Sequence, residues 1–141
     1  WNLLDWVNIM AYDMNWAAPG KRMGGNHAPI DLAQSLLPKW ENYDIPKNKL
    51  ILGLPFYGRE TQSWGTADSY ANIYQQYSPQ DSDDEIGGFN YNGPQTIFTK
   101  SKYVAENKYG GIMIWEIPHD LEFTHEKSLL RQVNIALGRL Q

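Results

Sequence analysis

Two short stretches of this 141-residue chain carry side chains that could act together on one substrate. Asn8, Met10 and Tyr12 alternate along an apolar run at 6–12 (WVNIMAY), and Met113 and Trp115 alternate along another at 111–116 (GIMIWE). Alternate residues of a strand share one face, so each run would present its set together. Asp13, Arg59 and Glu116 stand at or just beyond the ends of these runs and of a third, LILGLPF at 50–56. Flexible, aromatic and charged side chains gathered at the C-terminal ends of neighbouring parallel strands are what a ligand pocket at that end of a sheet requires. Met10 and Met113 suit a core equally well, because a thioether adapts to irregular space. Glu116 would point away from the Trp115 face, which favours a structural role over acid–base work.

The elements that must position these side chains read as alternating strands and helices. The three apolar runs are nearly unbroken, as in strands buried on both faces of a parallel sheet. Residues 29–43 place Leu32, Ala33, Leu36, Leu37 and Trp40 at helical spacing, and Pro38 predicts a kink or a second short helix. Residues 99–107 and 124–137 also read as helices, the latter with Leu129, Leu130, Val133, Ala136 and Leu137 on one stripe. Strand and helix in alternation imply right-handed crossovers and a parallel sheet. One such unit fills about 30 residues. The stretch from Tyr57 to Trp115 is nearly twice that, which leaves room for an insertion at 60–93. Within it Tyr70, Ile73, Tyr74 and Tyr77 recur at helical spacing behind Asp68 and Ser69, either of which can cap a helix. Asp81, Asp83, Asp84 and Glu85 read as a solvated acidic loop, because Ile86 stands where a calcium loop needs glycine. Asn92-Gly93 signals a tight turn.

Composition removes other classes. Twelve Lys and Arg against 16 Asp and Glu give a net charge of -4, which argues against a nucleic-acid partner. No run of 18 apolar residues offers a membrane span. Without cysteine there is neither a disulfide framework nor a thiolate zinc site, and His27, His119 and His125 are far apart, so no metal and no cofactor is expected. The sequence begins at Trp1, without an initiator Met or a signal peptide, and reads as a piece of something longer.

Three motifs, in order, resemble the last three strands of glycoside hydrolase family 18, the chitinases. They are DWVNIMAYD at 5–13, LILGLPFYGR at 50–59 and GGIMIWEIPHD at 110–120. The first contains the family's M-x-Y-D signature as Met10-Ala11-Tyr12-Asp13, and the last its Gly-Gly-x-Met-x-Trp pattern at 110–115. The likeness runs over nearly the whole chain. It implies an α/β fold made of the last three units of a (β/α)8 TIM barrel, with a small insertion between the last two strands. It further implies cleavage of β-1,4 bonds in N-acetylglucosamine polymers. In that chemistry the substrate's acetamido oxygen is the nucleophile, and an acidic residue on the fourth strand protonates the leaving oxygen. Carried over, Tyr12 hydrogen-bonds the acetamido group and Asp13 shapes that end of the subsite. Trp115 is the floor beneath the sugar, and Tyr57 and Arg59 line the cleft with Met10 and Met113 as further binding residues. Trp16 and Trp64 are possible sugar platforms. The resemblance also implies a cis peptide between Trp115 and Glu116.

The family's D-x-x-D-x-D-x-E motif is absent from these residues, and Asp81 to Glu85 does not replace it. The chain alone is therefore expected to be inactive. A whole barrel takes about 250 residues. The expected partners are an N-acetylglucosamine-containing polysaccharide and either the missing N-terminal part of the barrel or a second copy joined through exposed strand edges. Alternatives within the resemblance are a chitinase-like lectin without catalysis, an endo-β-N-acetylglucosaminidase or a peptidoglycan hydrolase. An extracellular or secreted location is implied by the resemblance. Pro118 and His119 depart from the small and amide residues that the family often places there.

Overall fold

The chain runs β1 (Val7–Ile9), α1 (Ile30–Glu41), β2 (Leu50–Pro55), β3 (Tyr57–Glu60), β4 (Ala67–Ser69), α2 (Tyr70–Tyr77), β5 (Glu85–Ile86), β6 (Phe89–Asn90), α3 (Pro94–Glu106), β7 (Gly111–Trp115) and α4 (Leu129–Ala136). This is a computed structural model, and it describes residues 1–14, 25–62 and 66–140. β1, β2 and β7 form a parallel sheet in that order, with Ile9 opposite Leu52 and Leu52 opposite Ile112. The right-handed β/α alternation expected from the apolar runs is what builds it, because parallel neighbours need a crossover long enough to hold a helix.

Ile9, Leu50, Leu52, Leu54 and Phe56 are buried in one cluster with Ala33 and Leu37 of α1, Ile97 and Val104 of α3, and Leu129 and Val133 of α4. Each such aliphatic side chain taken out of water contributes about 2 kcal/mol. The expectation of burial on both faces holds for β2 and is corrected for β1 and β7. Asn8, Met10 and Trp115 are exposed and Met113 is half-buried, because the helices cover only one side of the sheet.

Three helix boundaries also differ from the periodicity. α1 passes through Pro38 as one helix, and no second helix starts there. Pro38 has no N–H for the Gln34 carbonyl one turn earlier. The Tyr103 hydroxyl of α3 donates to that carbonyl instead, at 3.3 Å. α3 begins five residues before the expected 99, with Pro94 in its first turn where a missing N–H costs nothing. Its start is capped from outside. The Gly93 N–H and the Thr96 hydroxyl donate to the Asp84 carboxylate at 2.8 and 2.7 Å. Asp84 is thus a helix cap and not part of a merely solvated loop. α4 begins at Leu129 and not at 124, after turns at 124–128. Ser128 accepts from the Arg131 N–H, and Asp120 takes the N–H groups of Leu129 and Leu130, each at 2.8 Å.

Between β2 and α3 the chain lays down a second, antiparallel sheet in the order β4-β3-β6-β5, with α2 beside it. Ser69 caps α2 by accepting from the Asn72 N–H at 3.1 Å, while Asp68 accepts from the Asn72 amide at 2.7 Å. This sheet starts at Tyr57, directly after β2, so it hangs from the end of the parallel sheet where the candidate residues gather.

Candidate functional site

The open face of the parallel sheet ends in a cleft of about 300 Å³ lined by Met10, Tyr12, Asp13, Tyr57, Arg59, Ala67, Trp115 and His119. Strand parity explains the convergence: Met113 and Trp115 project from β7 on the side away from the packed Ile112 and Ile114. Met113 lies behind the cleft lining, where its Sδ accepts from the Tyr12 hydroxyl at 3.9 Å. That contact crosses β2 above Gly53. A Cβ at Gly53 would stand 2.7 Å from the Ile9 carbonyl oxygen, 2.9 Å from Met113 Cε and 3.0 Å from Tyr12 Cε1. Only a residue without a side chain lets the two meet there. Trp115 and Met10 face solvent, at 54% and 66% exposure, which leaves an indole and a thioether as an uncovered apolar floor. The Trp115–Glu116 peptide is cis. Glu116 turns to His119, with Oε1 3.3 Å from Nε2, and does not reach the cleft floor.

The charged centre of the cleft is one ion pair. Arg59 Nε and Nη2 donate to the two carboxylate oxygens of Asp13, both at 2.8 Å, a planar fork that fixes both groups. Burial works to raise the Asp13 pKa, but the hydrogen bonds from Arg59 and Tyr57 outweigh it and hold the carboxyl below its ordinary range. Asp13 is therefore an anchored anion and not a proton donor at neutral pH. The same surroundings act oppositely on the phenols. Burial, reinforced by the Asp13 charge, pushes both Tyr12 and Tyr57 above the usual phenol range, so each presents an intact O–H. The Arg59 guanidinium lies 5.4 Å from the centre of the Tyr57 ring, and its hydrogen bond to Asp13 raises its own pKa.

Residue-type reasoning missed three neighbours of this pair. Ala67 carries no signal. His119 follows Trp115 by four positions and joins the lining by edge contact with Tyr57, the rings 6.2 Å apart. His27 is fully buried, with its ring 5.1 Å from that of Tyr57. Its Nδ1 accepts from the Asp13 N–H at 3.3 Å, and its carbonyl accepts from the Met14 N–H at 2.8 Å. Burial, the largest influence, lowers its pKa to about 4 against the pull of Asp13, so the imidazole is neutral near pH 7. Trp16 and Trp64 lie outside the described residues. No group of His, Asp and Glu among the described residues can hold a metal ion, and no described helix is long and apolar enough to cross a membrane.

Residues 1–120 match the family model of Glycosyl hydrolases family 18. The chain belongs to that family. Its fold is similar to that of the family 18 chitinase ChiB of Flavobacterium johnsoniae, at 36% identity and a TM-score of 0.83 over 96% of this chain and 43% of that one. A chitinase of Bacteroides thetaiotaomicron aligns at 28% identity and a TM-score of 0.82, over 98% of this chain and 47% of the other. Chitinase C of Streptomyces lividans is 26% identical over 83% of this chain and 25% of its own length. The family 18 chain described here thus spans less than half of each of these chitinases. Its three-stranded sheet and flanking helices are part of the family's (β/α)8 barrel, with the antiparallel sheet inserted between the last two strands.

Proposed function

We propose that this family 18 chain forms one wall of a cleft that binds N-acetylglucosamine polymers such as chitin. With a catalytic acid supplied from outside these 141 residues, that cleft cleaves their β-1,4 bonds by the substrate-assisted, retaining route. One observation carries the reading: an exposed indole and an intact phenol O–H converge beside a carboxylate that Arg59 locks in place. The apolar face of a pyranose covers Trp115 and excludes water from it. The acetamido carbonyl then takes the Tyr12 proton donor from the Met113 thioether, a weak acceptor that is readily exchanged. As the acetamido oxygen attacks the anomeric carbon, the glycosidic bond breaks and the leaving oxygen receives the proton of the external acid. The resulting oxazolinium opens to water with overall retention.

Asp13 shapes the subsite as a fixed anion, and Tyr57, Met10 and Met113 fill its walls. Both edges of the parallel sheet, β1 and β7, lack a partner strand among the described residues. The remaining β/α units of the barrel pair there and bring the acid. An insoluble polymeric substrate places the work outside the cell. The test is hydrolysis of N-acetylglucosamine oligosaccharides by the complete domain, with cello-oligosaccharides as the control. Selective turnover of the acetamido sugars supports the reading. Equal handling of both sugars overturns it, and binding without turnover reduces it to a lectin.

A further inference from the structure

We infer that His27 and Lys100 form a buried clamp that positions Asp13 for the sugar cleft without touching the substrate. The inference rests on the reading of the cleft as a sugar site. Asp13 has φ 56°, in the left-handed region that a non-glycine residue occupies only where its surroundings hold it. Arg59 holds its carboxylate, and among the described residues His27 holds its backbone. The Asp13 N–H ends on His27 Nδ1 at 3.3 Å and the next N–H, that of Met14, ends on the His27 carbonyl at 2.8 Å. The backbone is thus gripped on both sides of the Asp13 side chain, which leaves its carboxylate pointing at Arg59.

His27 is itself immobilised. It is fully buried, it packs against Tyr57, and the carbonyl of the following residue, Ala28, is held by two donors. Those donors are Lys100 Nζ at 2.6 Å and Asn92 Nδ2 at 3.1 Å. Lys100 is fully buried in α3 and its other partner is Asn92 Oδ1 at 2.6 Å. A buried ammonium whose hydrogen-bond acceptors among the described residues are neutral, with Asp84 as a supporting charge, is costly. A methionine would fill the same space, so what the lysine adds is its hold on Ala28 and Asn92. The chain of contacts runs from α3 through Lys100, Ala28 and His27 to Asp13. Nδ1 also lies 3.4 Å from Asp13 Oδ1, and its acceptance of the Asp13 N–H at 3.3 Å assigns the ring proton to Nε2. Burial, Arg59 and Lys100 oppose a second proton on the ring, while Asp13 and a backbone hydrogen bond with Tyr57 favour one.

The test uses the full 141-residue chain labelled with ¹⁵N. The expected result is a neutral Nε2–H tautomer of His27 at pH 7 and a protected Asp13 amide. His27→Leu, which removes the acceptor, should speed exchange of the Asp13 amide about tenfold, the scale of one lost hydrogen bond. It should also weaken N-acetylglucosamine oligosaccharide binding. His27→Asn, which restores an acceptor near Nδ1, should recover most of both effects, whereas a purely space-filling role would leave the two variants alike. Lys100→Met should loosen the same amide. An Nδ1–H tautomer, an unprotected Asp13 amide, or equal behaviour of the Leu and Asn variants overturns the clamp. The tautomer and the amide are read on the unsubstituted chain, so a variant that fails to fold does not remove the test. The expected tautomer and exchange pattern, together with a complete domain that binds no acetamido sugar, would overturn the sugar reading and leave the clamp standing.

Discussion

The two faces of the β1-β2-β7 sheet are built from the same kinds of residue and do opposite things. On one, Ile9, Leu50, Leu52 and Leu54 disappear into a cluster with residues of α1, α2, α3 and α4. On the other, Met10 and Trp115 remain exposed, and Tyr12 meets Met113 across Gly53. Hydrophobicity therefore does not tell packing from recognition in this sheet. What tells them apart is the shape of the neighbours. The packed face is lined by branched aliphatics that interdigitate with helices. The open face carries flat or flexible side chains beside an ion pair that needs no helix to satisfy it.

That contrast breaks most visibly if the open face can do chemistry unaided. Its carboxylate is held ionised by Arg59 and its phenols hold their protons, so neither Asp13 nor the two tyrosines delivers a proton to a leaving group. General acid catalysis is typically worth ~10²–10⁴-fold. The 141 residues alone should show no measurable hydrolysis of N-acetylglucosamine oligosaccharides. Turnover in a preparation free of other chitinases would mean that an acid has been overlooked on this face.

Paired substitutions sharpen the contrast. Leu52→Ala on the packed face should cost about 3 kcal/mol in urea unfolding, the usual scale for a cavity left by a buried leucine. Trp115→Ala on the open face should cost under about 0.5 kcal/mol, because its ring is more than half exposed, yet in the complete domain it should weaken oligosaccharide binding ~10-fold to 100-fold. Similar stability losses for both would show that the two faces are energetically alike.

How much of this was legible in the residues depends on how local the causes are. Strand parity and the strand-helix order are local, and they located the sheet and its converging residues. The local cap of α2 at Ser69 was legible, but the starts of α3 and α4 were not, because part of their capping comes from a distance. Asp84 starts α3 from nine residues upstream of Gly93, and Asp120 starts α4 from nine upstream of Leu129. The passage of α1 through Pro38 depends on a hydroxyl in another helix. Lys100 carries no mark in the sequence of its full burial in α3, and His27 reads as an isolated histidine because its partner lies fourteen residues away. The family resemblance supplied the site roles, but a pattern of matched motif positions does not contain the side chains that hold them from behind.

Acidification probes the ground beneath the open face. His27 has a pKa near 4 in the folded chain, against an ordinary 6.5. Between those values the unfolded chain binds a proton that the folded one refuses, so stability is fully present above pH 6.5 and is lost as the pH falls toward 4. The loss can reach about 3 kcal/mol for this group. It should be absent from His27→Asn, and urea midpoints measured across this pH range in both proteins check it. A slope that persists unchanged in the variant would assign the acid sensitivity to carboxylates such as Asp13.

The smallest expected effect is the most discriminating. Tyr12→Phe removes a hydroxyl whose only partner among the described residues is Met113 Sδ at 3.9 Å, too weak a contact for stability to register its loss. Binding should also change little, since the phenyl ring still meets Tyr57, whose ring centre lies 6.2 Å away. If the hydroxyl is aimed at the acetamido group, its contribution grows as charge develops on the attacking oxygen. Turnover by the complete domain should then fall about tenfold with KM nearly unchanged, the signature of an interaction made in the transition state. An equal fall in affinity would place the hydroxyl among ordinary binding contacts. No change in either would return Tyr12 to packing and draw the boundary between the two faces of the sheet at Trp115 instead.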